Sequence, residues 1–149
     1  MSVGPASQPR RPRPAITHDN EFFWKGVREG KLLIQRCSGC GKLRHPPAPV
    51  CPACRSFEWD TVEASGRGTV YSFVLHRYPV IPPFESPHPV ALIELDEGTR
   101  LVSDLVGVGP EEIFIGMRVQ VEFNAVDPDL ILPQFRPVAD QQPEGRTYG

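Results

Sequence analysis

Two cysteine pairs constrain this chain more than any other feature: Cys37-Ser38-Gly39-Cys40 and Cys51-Pro52-Ala53-Cys54, with ten residues between them. A CxxC turn folds back so that both sulfurs address one point, and backbone N–H groups inside the turn donate to the thiolates. Two such turns offer four soft ligands to one tetrahedral ion. Arg10, Arg11 and Arg13 have no apolar stretch behind them, which argues against a secretory leader. The expected setting is therefore a reducing cytoplasm, where disulfides do not persist and paired thiols hold metal. Zn²⁺ is the expected ion; iron uses the same four ligands, and spacing does not separate the two. With all four positions filled by Cys37, Cys40, Cys51 and Cys54, no coordination position is left for water. The ion is then structural rather than catalytic. Arg36, Lys42, Arg44 and Arg55 flank the ligands and can offset the negative charge of four thiolates around a divalent cation.

The rest of the composition is that of a globular protein. Of 149 residues, 40% are apolar and 23% charged, enough for one medium domain or two small ones. Runs such as Val90-Ala91-Leu92-Ile93 are far too short to span a bilayer. The formal charge is −2, which removes the broad attraction that drives binding to a nucleic-acid backbone. Eighteen prolines form clusters, and those clusters exclude helix and central strand.

Five stretches follow. Residues 1–17 read as a disordered or extended arm, rich in Pro and Arg. Residues 18–30 hold a short helix from about Asp19 to Glu29. Asp19 or Asn20 is placed to cap it, Gly30 to end it, and Phe23 and Val27 share a face. Its aromatic residues Phe22, Phe23 and Trp24 either pack on the body of the protein or anchor a partner. Residues 31–62 read as a zinc ribbon. Leu32–Arg36 is a strand entering the first cysteine turn, Phe57-Glu58-Trp59 a returning one, and the intervening gap a tight hairpin stiffened by Pro46, Pro47 and Pro49.

Residues 63–138 change to strand patterning. The expected strands are Gly68–Tyr78, Val90–Leu95, Arg100–Val106, Arg118–Phe123 and Leu130–Arg136, with a hairpin turn at Asp96-Glu97-Gly98 and one helical turn at Pro110. Pro133 confines the last strand to an edge or a bulge. Five strands, the first long enough to curl, with a helical turn between the third and fourth, fit a small barrel of the OB type. The expected fold is thus mainly β: an N-terminal helix, a rubredoxin-like zinc ribbon, then a five-stranded OB-fold barrel. Residues 139–149 form a tail. Between the first two barrel strands lies a stiff loop, 79–89, in which five of eleven residues are proline and Val80, Ile81 and Phe84 are exposed apolar positions. It reads as a docking or ligand-lining loop.

No nucleophile stands beside a base. His18, His45, His76 and His88 are scattered, and Gly66-Arg67-Gly68 precedes a strand where a phosphate loop would enter a helix. The chain therefore reads as noncatalytic on its own. Two rival functions share its features. An OB fold binding single-stranded nucleic acid would use Tyr71, Phe73, Arg77 and Tyr78 for stacking, although Tyr71 and Phe73, two apart, equally fill a barrel. A rubredoxin-like electron carrier would use iron at the same cysteines.

The combination resembles one family. Its signature lies in the helix around Phe22-Phe23-Trp24, the segment Gly30–Cys37, Pro46-Pro47 before the second cysteine turn, Ser65-Gly66-Arg67-Gly68-Thr69-Val70-Tyr71-Ser72-Phe73, and Val90–Gly98. The family is the rubredoxin-like zinc ribbon plus OB-fold group associated with acyl-CoA metabolism, long carried as a domain of unknown function. The resemblance covers about residues 18–137. It is similar to the C-terminal part of a steroid side-chain hydratase subunit that partners a thiolase-like retro-aldolase. It implies a noncatalytic accessory subunit that shapes or gates the acyl-CoA site of a thiolase-fold aldolase or acyltransferase. The residues expected to meet the partner or coenzyme A are Phe23, Trp24, Arg67, Arg77, Tyr78, Ile81 and Phe84.

Overall fold

The computed structural model describes residues 11–80, 82–84, 86–139 and 141. Ile81, most of the expected N-terminal arm and most of the expected tail lie outside the described residues. Residues 11–17 carry no regular structure but lie against the body of the protein. Arg11 pairs with Asp104, and Arg13 reaches Asp127 at 2.7 Å and Asp129 at 2.6 Å.

The first regular element is α1 (Glu21–Arg28), whose inward face is Phe23, Gly26 and Val27, the i, i+3, i+4 stripe of an amphipathic helix. Gly26 fits there because a Cβ would lie 2.9 Å from the Leu33 side chain. Asn20 occupies the N-cap position without capping. Its carboxamide accepts from the Thr17 N–H at 2.7 Å and donates to the Ala15 carbonyl at 2.9 Å, tying the preceding segment to the helix start. The C-terminus closes as a Schellman motif, with Gly30 N–H bonded to Val27 O and Lys31 N–H to Gly26 O. Gly30 sits at φ +76°, a left-handed position that favours glycine.

The ribbon is a three-stranded antiparallel sheet in the order β2-β1-β3, formed by β1 (Leu33–Cys37), β2 (Leu43–Arg44) and β3 (Trp59–Glu63). Two expectations change here. The gap between cysteine pairs does not fold on itself as a hairpin; Leu43 and Arg44 pair back onto β1 opposite Arg36 and Gln35. The returning strand begins at Trp59, opposite Cys37, and Phe57 lies in the loop before it, 74% exposed.

The remaining strands form one five-stranded antiparallel sheet in the order β6-β5-β4-β7-β8. These are β4 (Arg67–His76), β5 (His88–Leu95), β6 (Arg100–Asp104), β7 (Arg118–Asp127) and β8 (Leu130–Pro137). A 3-10 turn at Pro110–Glu112 lies between β6 and β7. The outer strands β6 and β8 come together through a single parallel bridge, Leu105 to Phe135, supported by Val106 N–H bonded to Phe135 O at 2.9 Å. The sheet therefore curls into a partly open barrel rather than one closed by a continuous ladder. Pro133 is accommodated because β8 pairs only with β7 in the ladder.

A β-bulge in β4 breaks the alternation between Val70 and Ser72. It turns Tyr71 outward, 47% exposed, with the Arg100 guanidinium 3.7 Å over its ring. Tyr71 thus does not fill the barrel; Val70 and Phe73 do. The interior is one continuous apolar cluster. Phe23, Val27, Leu32 and Ile34 from helix and ribbon join Ile93, Met117, Val119 and Phe135 from the barrel.

Candidate functional site

The two cysteine turns are built alike. Gly41 N–H bonds to Cys37 O and Arg55 N–H to Cys51 O, each at 2.8 Å, and the closing residues Gly41 and Arg55 sit at φ +79° and +65°. This repeated backbone aims four sulfurs at one point. Their Sγ atoms all lie within 4.8 Å of one another, with Cys37 to Cys54 at 3.4 Å and Cys40 to Cys51 at 3.7 Å. Four sulfurs about 2.3 Å from a tetrahedral ion would stand about 3.8 Å apart, so the donor set fits one metal ion. Cys37 and Cys51 are buried, Cys40 and Cys54 exposed.

Backbone N–H groups favour the thiolate at the two buried positions, Cys37 and Cys51. The Cys54 N–H is the main cause that draws the Cys51 thiol down to about 6, and the Cys40 N–H likewise lowers that of Cys37. At Cys54 the Ser56 N–H pulls downward, but the neighbouring Cys37 sulfur and burial push the thiol up to about 11. Of the flanking cations, Arg36 is held by both oxygens of Asp60 at 2.9 and 2.6 Å, and Arg44 by Gln35 and the Ala48 carbonyl.

Gln35 is a residue that sequence reasoning passed over. It is 1% exposed. Its carboxamide donates to Ala48 O and accepts from Ala48 N–H, both at 2.9 Å, clamping the proline-rich segment between the cysteine turns.

A second feature is a cleft of about 740 Å³ between the helix and ribbon on one side and the barrel on the other. Phe23, Trp24 and Phe84, expected from sequence as contact residues, all line it. Phe84 is not an exposed loop residue; it is half-buried, against the His88 ring at 4.8 Å and under Arg11 at 4.7 Å. Phe23 is 5% exposed and serves the core as well. The structure does not bring Arg67, Arg77 or Tyr78 to the cleft. Tyr78 is 84% exposed on the loop, Arg77 lies near Pro87 and Glu111, and Arg67 lies by Asp96. His45, His76 and His88, which read as scattered in the sequence, and Asp104, which had no expected role, also line the cleft. Their convergence comes from four separate segments, and no local signal announces it.

Two family models match in tandem: a rubredoxin-like zinc ribbon domain of ChsH2 over residues 24–60, and the ChsH2 C-terminal OB-fold domain over residues 61–124. Among solved structures, the chain matches one in an Ltp2-ChsH2(DUF35) aldolase. Sequence identity is 54% and the TM-score 0.81, with 84% of this chain and 98% of that one covered. This chain belongs to the DUF35 family. A probable enoyl-CoA hydratase alpha subunit from Thermomonospora curvata is 54% identical to this DUF35 chain over 132 residues, 89% of it and 41% of the relative. The 3-oxo-4,17-pregnadiene-20-carboxyl-CoA hydratase alpha subunit of Mycobacterium tuberculosis is 43% identical over 111 residues, 74% of the chain and 35% of the relative. The DUF35 chain thus spans well under half of either hydratase subunit. Among the described residues, no helix is long and apolar enough to cross a membrane.

Proposed function

We propose that this chain is a noncatalytic accessory subunit of a thiolase-fold acyl-CoA enzyme, a retro-aldolase of steroid side-chain degradation, whose acyl-CoA site it shapes or gates. The observation that carries this reading is the match, at 54% identity over nearly the whole of the matched chain, to a chain of an Ltp2-ChsH2(DUF35) aldolase. The pregnadiene-carboxyl-CoA hydratase relative supports a steroid acyl-CoA substrate, and the resemblance drawn from the sequence supports the thiolase fold of the partner. Zn²⁺ on Cys37, Cys40, Cys51 and Cys54 holds the ribbon. Paired thiols set to hold a metal ion suit a reducing, cytoplasmic setting. Helix 18–30, ribbon 31–62 and barrel 63–138 act as one body, and Phe23, Trp24, Arg67, Arg77, Tyr78 and Phe84 supply contacts to the partner or to coenzyme A.

Co-expression of the chain with a thiolase-fold aldolase subunit tests the reading. The two co-elute on size exclusion, and cleavage of a steroid β-hydroxyacyl-CoA to ketone and propionyl-CoA needs both. An aldolase subunit that is fully active alone and never co-elutes overturns it. Elemental analysis of reduced protein is expected to return one zinc per chain; iron in its place, with a reversible redox signal, favours the electron carrier.

A further inference from the structure

Four residues belong to two cavities at once. Arg11, Phe84, His88 and Asp104 line the cleft of about 740 Å³ and also a smaller pocket of about 430 Å³ walled by Pro83, Pro87 and residues 105–108. They form the partition between the two. Asp104 roots it in the barrel: it accepts from Gln134 at 2.9 Å and stands 3.0 Å from His88 Nε2, and Gln134 is itself held by Asn124 at 2.8 Å. Arg11 comes from outside the barrel. It lies on the N-terminal arm, pairs with Asp104 and sits over the Phe84 ring at 4.7 Å.

The arm reaches the barrel through charge. Among the described residues, no backbone hydrogen bond joins residues 11–14 to the barrel. Pro12 and Pro14 have no N–H to give and keep the chain extended. Residues 63–138 carry eleven acidic side chains against five basic ones, so the arm's arginines meet an acidic body. Arg13 bonds to Asp127 at 2.7 Å and Asp129 at 2.6 Å, at the β7–β8 turn. The two contacts differ in exposure. Arg11 and Asp104 are 22% and 14% exposed, Arg13 and Asp129 35% and 65%, so salt screens the Arg13 contact more. The far end of the arm needs no charge: the Asn20 carboxamide accepts from Thr17 N–H and donates to the Ala15 carbonyl. The segment thus has a neutral anchor at 15–17, a stiff Arg-Pro-Arg-Pro stretch, and two arginine bolts, of which Arg11 stands in the partition.

We propose that residues 11–17 are a strap that closes the cleft. With Arg11 on Asp104 the partition stands; lifting the strap joins cleft and pocket into one groove. The device is electrostatic, and raised ionic strength opens it, Arg13 first and Arg11 after. It rests on contacts within this chain and not on the subunit role.

The test uses the full metal-bound chain with Trp59→Phe, which leaves Trp24, a cleft residue, as the remaining one of two tryptophans. Trp59 does not line the cleft and packs on Phe22 at a ring separation of 5.0 Å, so a phenylalanine there keeps an aromatic contact. Acrylamide is the quencher, because an uncharged molecule meets the protein equally at any salt. Arg11→Ala with Arg13→Ala is expected to raise the Trp24 quenching constant about twofold, since partly exposed ion pairs hold the strap only weakly. Asp127→Asn with Asp129→Asn releases Arg13 alone and gives a smaller rise. Sodium chloride at about 1 M raises the constant in the parent and leaves the double arginine variant unmoved. In the same variant the ¹⁵N heteronuclear NOE of the Arg13 amide falls, while that of Thr17, held by Asn20, keeps its value. A quenching constant equal in parent and arginine variant, a salt-induced rise equal in both, or an Arg13 amide already mobile in the parent at low salt overturns the proposal. Each of these results leaves co-elution with an aldolase subunit untouched, so the two readings fail separately.

Discussion

Gln35 shows how one buried polar side chain can order a segment that has no regular structure. The proline-rich stretch after Arg44 cannot supply a full ladder of N–H donors, yet it must be held so that the second cysteine turn meets the first. Gln35 does this by making both an N–H and a C=O contact to Ala48, mimicking one rung of a sheet, while its Oε1 also accepts from Arg44 at 3.0 Å. Gln35→Ala leaves the Ala48 N–H without this partner and opens a void beside it. The expected loss is about 3 kcal/mol, seen as a lower denaturation midpoint and faster exchange of the Ala48 amide. Gly41 makes a different demand. A Cβ there would meet nothing within 4 Å, so the effect of Gly41→Ala is conformational alone. The left-handed φ of +79° makes it about 1 kcal/mol destabilising, with metal stoichiometry unchanged. At Gly68 the conformation is ordinary but the Cβ would lie 2.6 Å from the Glu94 carbonyl oxygen, a backbone atom that cannot swing aside.

Among the elements, the ribbon depends most on something outside its own sequence. Its three strands contribute few fully buried side chains, Ile34 and Gln35 chief among them beside the cysteines. Metal binding in such units is worth on the order of 10–16 kcal/mol, comparable to the whole stability of a domain. Stripping the metal with a chelator under reducing conditions is therefore expected to release the amides of β1–β3 to fast exchange. Those of β7 and β8, built on Val119 and Phe135, stay protected at lowered global stability; ribbon amides unchanged after complete metal removal would refute this. The same elements show what was legible beforehand. The cysteine spacing, the alternation of Arg118–Phe123 and the turn at Asp96-Glu97-Gly98 are local signals, and each maps onto an observed element. Strand β2 was not legible: two residues have no periodicity, and Leu43-Arg44 is a strand only because β1 lies alongside. Nor was the outward turn of Tyr71, since a bulge inserts one residue into a period of two. The cleft was least legible, because its wall is assembled from segments far apart in the chain.

For the molecule as a whole, separate parts are tied by arginine forks. Arg36 grips Asp60 across β1 and β3, Arg118 grips Asp96 between β7 and the β5–β6 turn, and Arg136 grips Glu122 across β8 and β7, each through two nitrogen-to-oxygen bonds. The hydrogen bond from its arginine is in each case the leading cause that holds the carboxyl below its usual range. These groups are largely exposed, so each pair alone contributes little. Their protonation is nonetheless coupled to folding. With native values below unfolded ones, the stabilisation is fully present above the ordinary carboxylate range and is lost as pH falls through the native values. His45 adds a step at higher pH. Burial lowers its native value from 6.5, so the unfolded chain takes up the proton first and stability begins to fall below that point. Below about pH 6.5 the urea midpoint should thus decline gently, with a further small decline below about pH 4.5. His45→Phe should remove the upper decline, and Asp96→Asn with Glu122→Gln should flatten the lower one. High salt should weaken the lower step more than the upper, because exposed pairs are screened while the cost of burying a charged imidazole is not. A single transition that none of these substitutions moves would show that the acid response arises elsewhere in the chain.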